Sequence, residues 1–244
     1  MAAITMVLHS IFWYTCFAVS LIWHTPKLFL AKRKAQYMEP REFDWYVHRL
    51  ASRWALGNVK RSGAKFHIEG LENIPKDQAV VFISNHQGDF DIAVFLAYIP
   101  VPHGYISKIE ILKVPLLRSW MKNLRCVFID RNNIRQTAGA FLEGIKILQS
   151  GHSLVLFPEG TRSKSEAMGE FKNASFKLAT KAKAPIIPVT INGTFRIMEA
   201  NNRLIKPADV HVKIHPPVPT DVEDIAEIPE QVRKIIASGI NKAS

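Results

Sequence analysis

The sequence predicts an α/β domain, a largely parallel mixed sheet covered by helices, preceded by an N-terminal apolar and amphipathic two-helix membrane anchor. Three observations predict it. From residue 65 onward, short β-branched runs alternate with helical stretches. Two of the apolar runs lead directly into polar motifs, as strand ends of such sheets do. Residues 1–26 contain no Lys, Arg, Asp or Glu, and basic charge gathers directly behind them. With 244 residues, 48% of them hydrophobic, the chain has enough material for a full core and is not a disordered one. The division expected is an anchor over 1–61 and an α/β domain over 62–244.

The anchor begins with the run from Ile4 to Trp23, almost wholly apolar and aromatic. Twenty helical residues reach about 30 Å, the thickness of the hydrocarbon core. A secretory signal peptide would carry positive charge before such a run and a small-residue cleavage site after it. Here Lys27, Lys32, Arg33 and Lys34 follow it. By the positive-inside tendency the rest of the chain is expected on the cytoplasmic side of a membrane. Residues 25–65 hold ten basic and three acidic residues, seven of the chain's eleven net positive charges. Charge beside an apolar segment favours an anionic lipid surface as partner. A basic chain can also bind nucleic acid, but the placement of this charge behind a membrane-type segment argues against that partner.

A second helix is expected over 40–61. Phe43, Tyr46, Val47, Leu50 and Trp54 fall on one stripe at helical spacing, with Arg49, Arg53 and Lys60 about a quarter turn away. A helix lying in the headgroup layer has this pattern. So does a helix packed on the core with a solvated basic face.

In the globular part, strands are expected at 66–69, 79–84, 104–107, 126–129, 153–157, 186–191 and 210–214. Helices are expected at 91–98, 115–124, 134–149, 173–181 and 230–238. The two cysteines, Cys16 and Cys126, have no zinc-ligand spacing and read as reduced thiols. Neither a metal nor a resident cofactor is expected.

The first chemical motif is Asn85-His86-Gln87-Gly88-Asp89-Phe90-Asp91, directly after an apolar strand. His86 then sits at a strand end and Asp91 in the first turn of the next helix. A carboxylate on one ring nitrogen fixes the tautomer and leaves the other free to take a proton from a hydroxyl. Histidine suits this task because an unperturbed imidazole titrates near ~6.5. An N-cap carboxylate beside a chance histidine gives the same letters.

The second motif is Phe157-Pro158-Glu159-Gly160-Thr161-Arg162-Ser163, also after an apolar strand. Gly160 lets the backbone turn sharply and approach a ligand. Arg162 has the fork geometry that grips phosphate. Glu159 can accept a hydrogen bond or orient a polyol. Lys108 and the stretch Phe128-Ile129-Asp130-Arg131 end two further strands, and Ile187-Pro188-Val189 lies within a later one. Strand-end Lys108, Arg131 and Arg162 together would form a cationic pocket beside His86.

At these residues the chain resembles the 1-acylglycerol-3-phosphate acyltransferases, a family of glycerolipid acyltransferases with a His-x4-Asp motif. Its four blocks are matched in order over roughly residues 65–217: Asn85-His86-Gln87 through Asp91, Phe128–Arg131, Phe157–Arg162 and Ile187-Pro188-Val189. The resemblance implies that His86 is the base and Asp91 orients it. It implies that Glu159, Gly160 and Thr161 belong to the acceptor site, and that Arg162, Lys108 and Arg131 hold the acceptor phosphate. The implied reaction moves an acyl group from acyl-carrier protein or coenzyme A to the sn-2 hydroxyl of lysophosphatidic acid. Two positions depart from the pattern: Gly88 stands where serine is usual, and Arg125 where glycine is frequent. Neither removes a residue that the chemistry requires.

Three rival readings exist. The same chemistry on glycerol-3-phosphate, another lysophospholipid or a lyso-aminolipid would use the same motifs. A lipid hydrolase would need a nucleophile, and no Gly-x-Ser-x-Gly is present. A non-catalytic membrane-binding module would have no use for the His86/Asp91 pair.

Overall fold

The computed structural model describes residues 2–130, 132–222 and 224–240. Among them, seven strands form one sheet: β1 (Lys65–Glu69), β2 (Val81–Ser84), β3 (His103–Lys108), β4 (Val127–Ile129), β5 (Ser153–Leu156), β6 (Ile186–Asn192) and β7 (Asp209–Ile214). Their spatial order is β1-β7-β6-β2-β5-β3-β4. Every neighbouring pair is parallel except β6 with β7. The sheet is therefore the largely parallel mixed one that the alternation predicts.

The central strands are hydrophobic without interruption because both faces are covered. Phe82, Val155 and Ile187 belong to one core cluster, while Val81, Ile83, Leu154, Leu156 and Ile186 belong to the other. On the first face lie α1 (Ala2–Trp23), α3 (Pro40–Arg61) and α4 (Phe90–Tyr98). On the second lie α6 (Ile134–Gln149), α7 (Lys177–Ala182) and α8 (Ile228–Ile240). The expected helix over 173–181 is in fact a 3-10 turn at Asn173–Ser175 followed by α7.

One feature of the N-terminal region differs from expectation, and one ambiguous element takes a defined place. The chain continues past Trp23 into α2 (Thr25–Lys34), because Pro26 falls in the first helical turn, where a missing N–H costs nothing. Of the two arrangements open to the helix over 40–61, α3 adopts the one packed on the core. Its buried side is Val47, Ala51, Ala55 and Val59 at four-residue spacing, small residues that let α4 approach closely. Phe43, Tyr46, Leu50 and Trp54 are only half-buried, and Arg49, Arg53 and Lys60 point outward.

Helix α1 is docked by one narrow stripe. Trp13 is buried and donates its indole N–H to the Asn58 carbonyl at 2.9 Å. Ser20 accepts from the Trp54 indole at 3.0 Å, and Ser10 accepts from the Ile205 amide at 2.8 Å. Away from these contacts Ile4, Leu8, Ile11, Phe12, Val19, Ile22 and Trp23 are all more than half exposed. The run Ala3–Lys34 is long and apolar enough to cross a membrane.

Candidate active site

Parallel pairing puts the carboxyl ends of β2, β3, β4 and β5 at one edge of the sheet. Strands β2 and β5 are direct neighbours, with Ile83 beside Leu156. The segments that leave them, 85–91 and 157–163, therefore rise side by side. Their backbones are stitched together, Ser163 N donating to His86 O at 2.8 Å and Lys164 N to Gln87 O at 3.1 Å.

His86 and Asp91 meet as the spacing predicts. His86 Nδ1 lies 2.7 Å from Asp91 Oδ2, and Asp91 is fully buried. The helix start delivers the carboxylate because Asp91 falls in the first turn of α4. The same oxygen accepts from the amides of Gln87 and Gly88, at 2.6 and 3.0 Å. Oδ1 accepts from the hydroxyl of Thr194 at 2.5 Å. All four donors converge on one carboxylate, which fixes its orientation as well as its charge. The imidazole stacks on Phe157 at 4.1 Å between ring centroids, and its Nε2 has no partner among the described residues. An imidazole so held is able to accept a proton through Nε2.

His86 lines a cavity of about 680 Å³. Its lining is mostly apolar, with Leu96, Ile106, Ile111, Leu117, Trp120, Met121 and Ile129. The ionisable and hydroxyl side chains among the lining residues include His86, Asp89, Lys108, Glu110, Thr161 and Arg162. A largely apolar cavity with a few polar groups suits an amphiphile.

The structure brings Lys108, Gly160, Thr161 and Arg162 to the cavity. Gly160 turns the chain there with φ +70°, a left-handed conformation that glycine adopts freely. Arg162 is not idle: its guanidinium pairs with Asp89 and stands 3.6 Å from Glu199 Oε1. Glu159, expected among substrate-facing residues, is buried and holds two backbone amides. Its Oε1 accepts from the His86 amide and its Oε2 from the Gly169 amide, both at 2.7 Å. The carboxylate clamps the segment 85–91 to the loop at 169. Burial pushes the Glu159 carboxyl up, opposed by those two amides. Arg131 lies outside the described residues. Ile129 of the same stretch lines the cavity, while the Asp130 amide donates to Gln136 Oε1 in the first turn of α6 at 2.6 Å.

Sequence reasoning missed the residues that hold the segment 85–91 from the β6 side. Asn85 clasps β6, donating to Ile191 O at 2.8 Å and accepting from Ile191 N at 2.9 Å. Gln87 accepts from the Gly193 amide at 2.8 Å, and Asp89 N donates to Glu199 Oε1 at 2.7 Å. With Thr194, these contacts make the segment 193–199 a bracket for 85–91. The one signal in the sequence is polar side chains directly after an apolar strand.

A family model described as Acyltransferase matches residues 65–192. The chain is 38% identical over 148 residues to a probable 1-acyl-sn-glycerol-3-phosphate acyltransferase of Mycoplasma pneumoniae, covering 59% of this chain and 55% of that protein. It is 31% identical over 182 residues to the 1-acyl-sn-glycerol-3-phosphate acyltransferase of Borreliella burgdorferi, covering 74% of this chain and 72% of that one. With 57% of a chloroplastic relative from Brassica napus also matched, the chain spans little more than half the length of several curated relatives. In three dimensions it superposes on the crystal structure of the 1-acyl-sn-glycerophosphate (LPA) acyltransferase PlsC from Thermotoga maritima. The TM-score is 0.87 at 26% identity, over 100% of this chain and 98% of that one.

Proposed function

Because the chain belongs to the acyltransferase family, we propose that it moves a fatty acyl group from a thioester to the sn-2 hydroxyl of lysophosphatidic acid, giving phosphatidic acid. The single observation that carries the reading is the His86–Asp91 pair at 2.7 Å, with His86 in the lining of a largely apolar cavity. The names of the relatives supply the acceptor.

The acceptor phosphate docks on Arg162 and Lys108. His86 Nε2 takes the proton from the sn-2 hydroxyl as its oxygen attacks the thioester carbonyl. Asp91 stabilises the imidazolium that forms. The amides of Gln87, Gly88 and Asp89 already donate to Asp91 and Glu199, and that of Gly160 to Phe157 O, so the amides of Thr161 and Arg162 are the donors assigned to the oxyanion of the tetrahedral intermediate. The carbon–sulfur bond then breaks, and the imidazolium returns its proton to the departing thiolate. The thioester, of acyl-carrier protein or coenzyme A, is a co-substrate consumed in the reaction, and no resident cofactor takes part. The exposed apolar residues of α1 support membrane association, with the catalytic domain on the cytoplasmic side.

The test compares acceptors. Arg162→Ala should raise the KM for lysophosphatidic acid roughly ten- to a hundred-fold, the worth of a charge-assisted bond, and leave the thioester KM nearly unchanged. Arg162→Lys should recover part of the loss. Equal harm to lysophosphatidic acid and to uncharged monoacylglycerol would mean that Arg162 only holds the turn.

A further inference from the structure

Glu199 is a buried carboxylate beside the site for which the mechanism above has no use. It follows β6 by seven residues, and its side chain is only 5% exposed. Three features make it more than a buried acid. Its Oε1 accepts from Asp89 N, inside the catalytic turn. The same oxygen stands 3.6 Å from the Arg162 guanidinium. Its Oε2 is buried and meets no donor among the described residues. The carboxylate fits there because position 88 has no side chain. A Cβ on Gly88 would lie 2.5 Å from Glu199 Oε2 and 2.8 Å from its carboxyl carbon.

The two acidic neighbours of Arg162 differ in kind. The Asp89 side chain is 49% exposed at the rim of the cavity, so it can swing into water when another anion arrives. Glu199 is packed and tethered and has no such freedom. A guanidinium that loses its mobile partner to a ligand but keeps a fixed one behind it presents its remaining N–H edge in a defined direction.

We propose that Glu199, admitted against the catalytic turn by the bare Cα of Gly88, is a positioning residue that aims Arg162 at the acceptor phosphate. Asp89 is the partner that the phosphate replaces, and Glu199 is the backstop that stays. The proposal rests on the reading of Arg162 as the phosphate grip.

The experiment is a double-mutant cycle on the full chain in phospholipid–detergent micelles, with lysophosphatidic acid and monoacylglycerol as acceptors and thiol release as readout. Glu199→Gln keeps the shape and the acceptor for Asp89 N but removes the charge. It should raise the KM for lysophosphatidic acid about five- to ten-fold, the factor between a charge-assisted and a neutral bond, with kcat within about two-fold. The monoacylglycerol KM should not move. In an Arg162→Ala background, Glu199→Gln should have no further effect. Gly88→Ala, which displaces the carboxylate without removing it, should reproduce the KM rise and lose that effect once Glu199 is alanine. If Arg162→Ala fails to separate the two acceptors, the phosphate-grip reading itself falls. If Arg162→Ala separates them while Glu199→Gln leaves the KM unchanged, lowers it, or reduces kcat equally for both acceptors, the positioning role is overturned.

Discussion

Replacing Asp91 by asparagine tests the hydrogen-bond arrangement around the base. Asp91 receives four donors, three on Oδ2 (His86 Nδ1 and two amides) and the Thr194 hydroxyl on Oδ1. An asparagine NH2 cannot face Oδ2's three donors, so it must turn toward Thr194, whose hydroxyl can rotate to accept. The remaining amide oxygen still meets His86, and the geometry survives. What is lost is the charge opposite the imidazolium in a fully buried place. Removing one partner of a buried pair costs about 3–5 kcal/mol, so kcat should fall about a hundred- to a few thousand-fold. Both KM values should stay within about three-fold, because the defect appears only as the imidazolium forms. Adding Thr194→Val should worsen the asparagine variant more than the wild type, since asparagine then has an NH2 without an acceptor. Thiol release with purified, detergent-solubilised protein measures all of this. A folded Asp91→Asn enzyme within about five-fold of wild type would refute the orienting role.

Two further outcomes concern stability. Arg125 sits at φ +55°, where glycine is at ease, yet it bonds Asp44 at 3.1 Å and Ser150 at 3.0 Å. Arg125→Gly relieves about 1 kcal/mol of backbone strain but strips a largely buried carboxylate of its arginine. A net loss of about 1 kcal/mol, or a Tm lower by about 2–4 °C, should follow in thermal melts; a higher Tm would mean that strain dominates. Burial lowers His48 to about 4 and His103 to about 3, so the unfolded chain binds more protons than the folded one below about 6.5. Stability is fully present above that pH and falls toward pH 4, by up to about 1.4 kcal/mol per pH unit for each imidazole, while the raised carboxyls of Glu159 and Glu199 act in the opposite sense. Urea midpoints between pH 7.5 and 4.5 should show a shallower decline in His48→Gln, and an unchanged slope would remove His48 from the account.

What was legible in the sequence was whatever depends on local spacing. The five-residue step from His86 to Asp91 is one turn beyond a strand end, so a helix start delivers the carboxylate without knowledge of any distant partner. The polar lining of the cavity was legible in the same way, because Lys108 and Arg162 both follow strands that run in one direction. Thr194 and Glu199 were not, since each meets the catalytic turn across more than a hundred residues, and no periodicity marks a contact of that kind. Glu159 shows the converse limit. A glutamate in a tight turn reads equally well as a group for the substrate or a clamp for the backbone, and the clamp is visible only once the His86 and Gly169 amides are placed. Helix α3 was ambiguous for a physical reason: its large apolar residues are half-buried flanks, and its buried stripe is made of small ones, which carry little hydropathy signal.

The most direct test of the central claim is thiol release and product mass for the full chain, wild type beside His86→Ala, with lysophosphatidic acid and either thioester. The wild type should show acceptor-dependent release with phosphatidic acid formed, and a His86→Ala protein that melts normally should lose at least about a thousand-fold. Near-normal turnover by that variant, or no phosphatidic acid from the wild type with either donor, would contradict it.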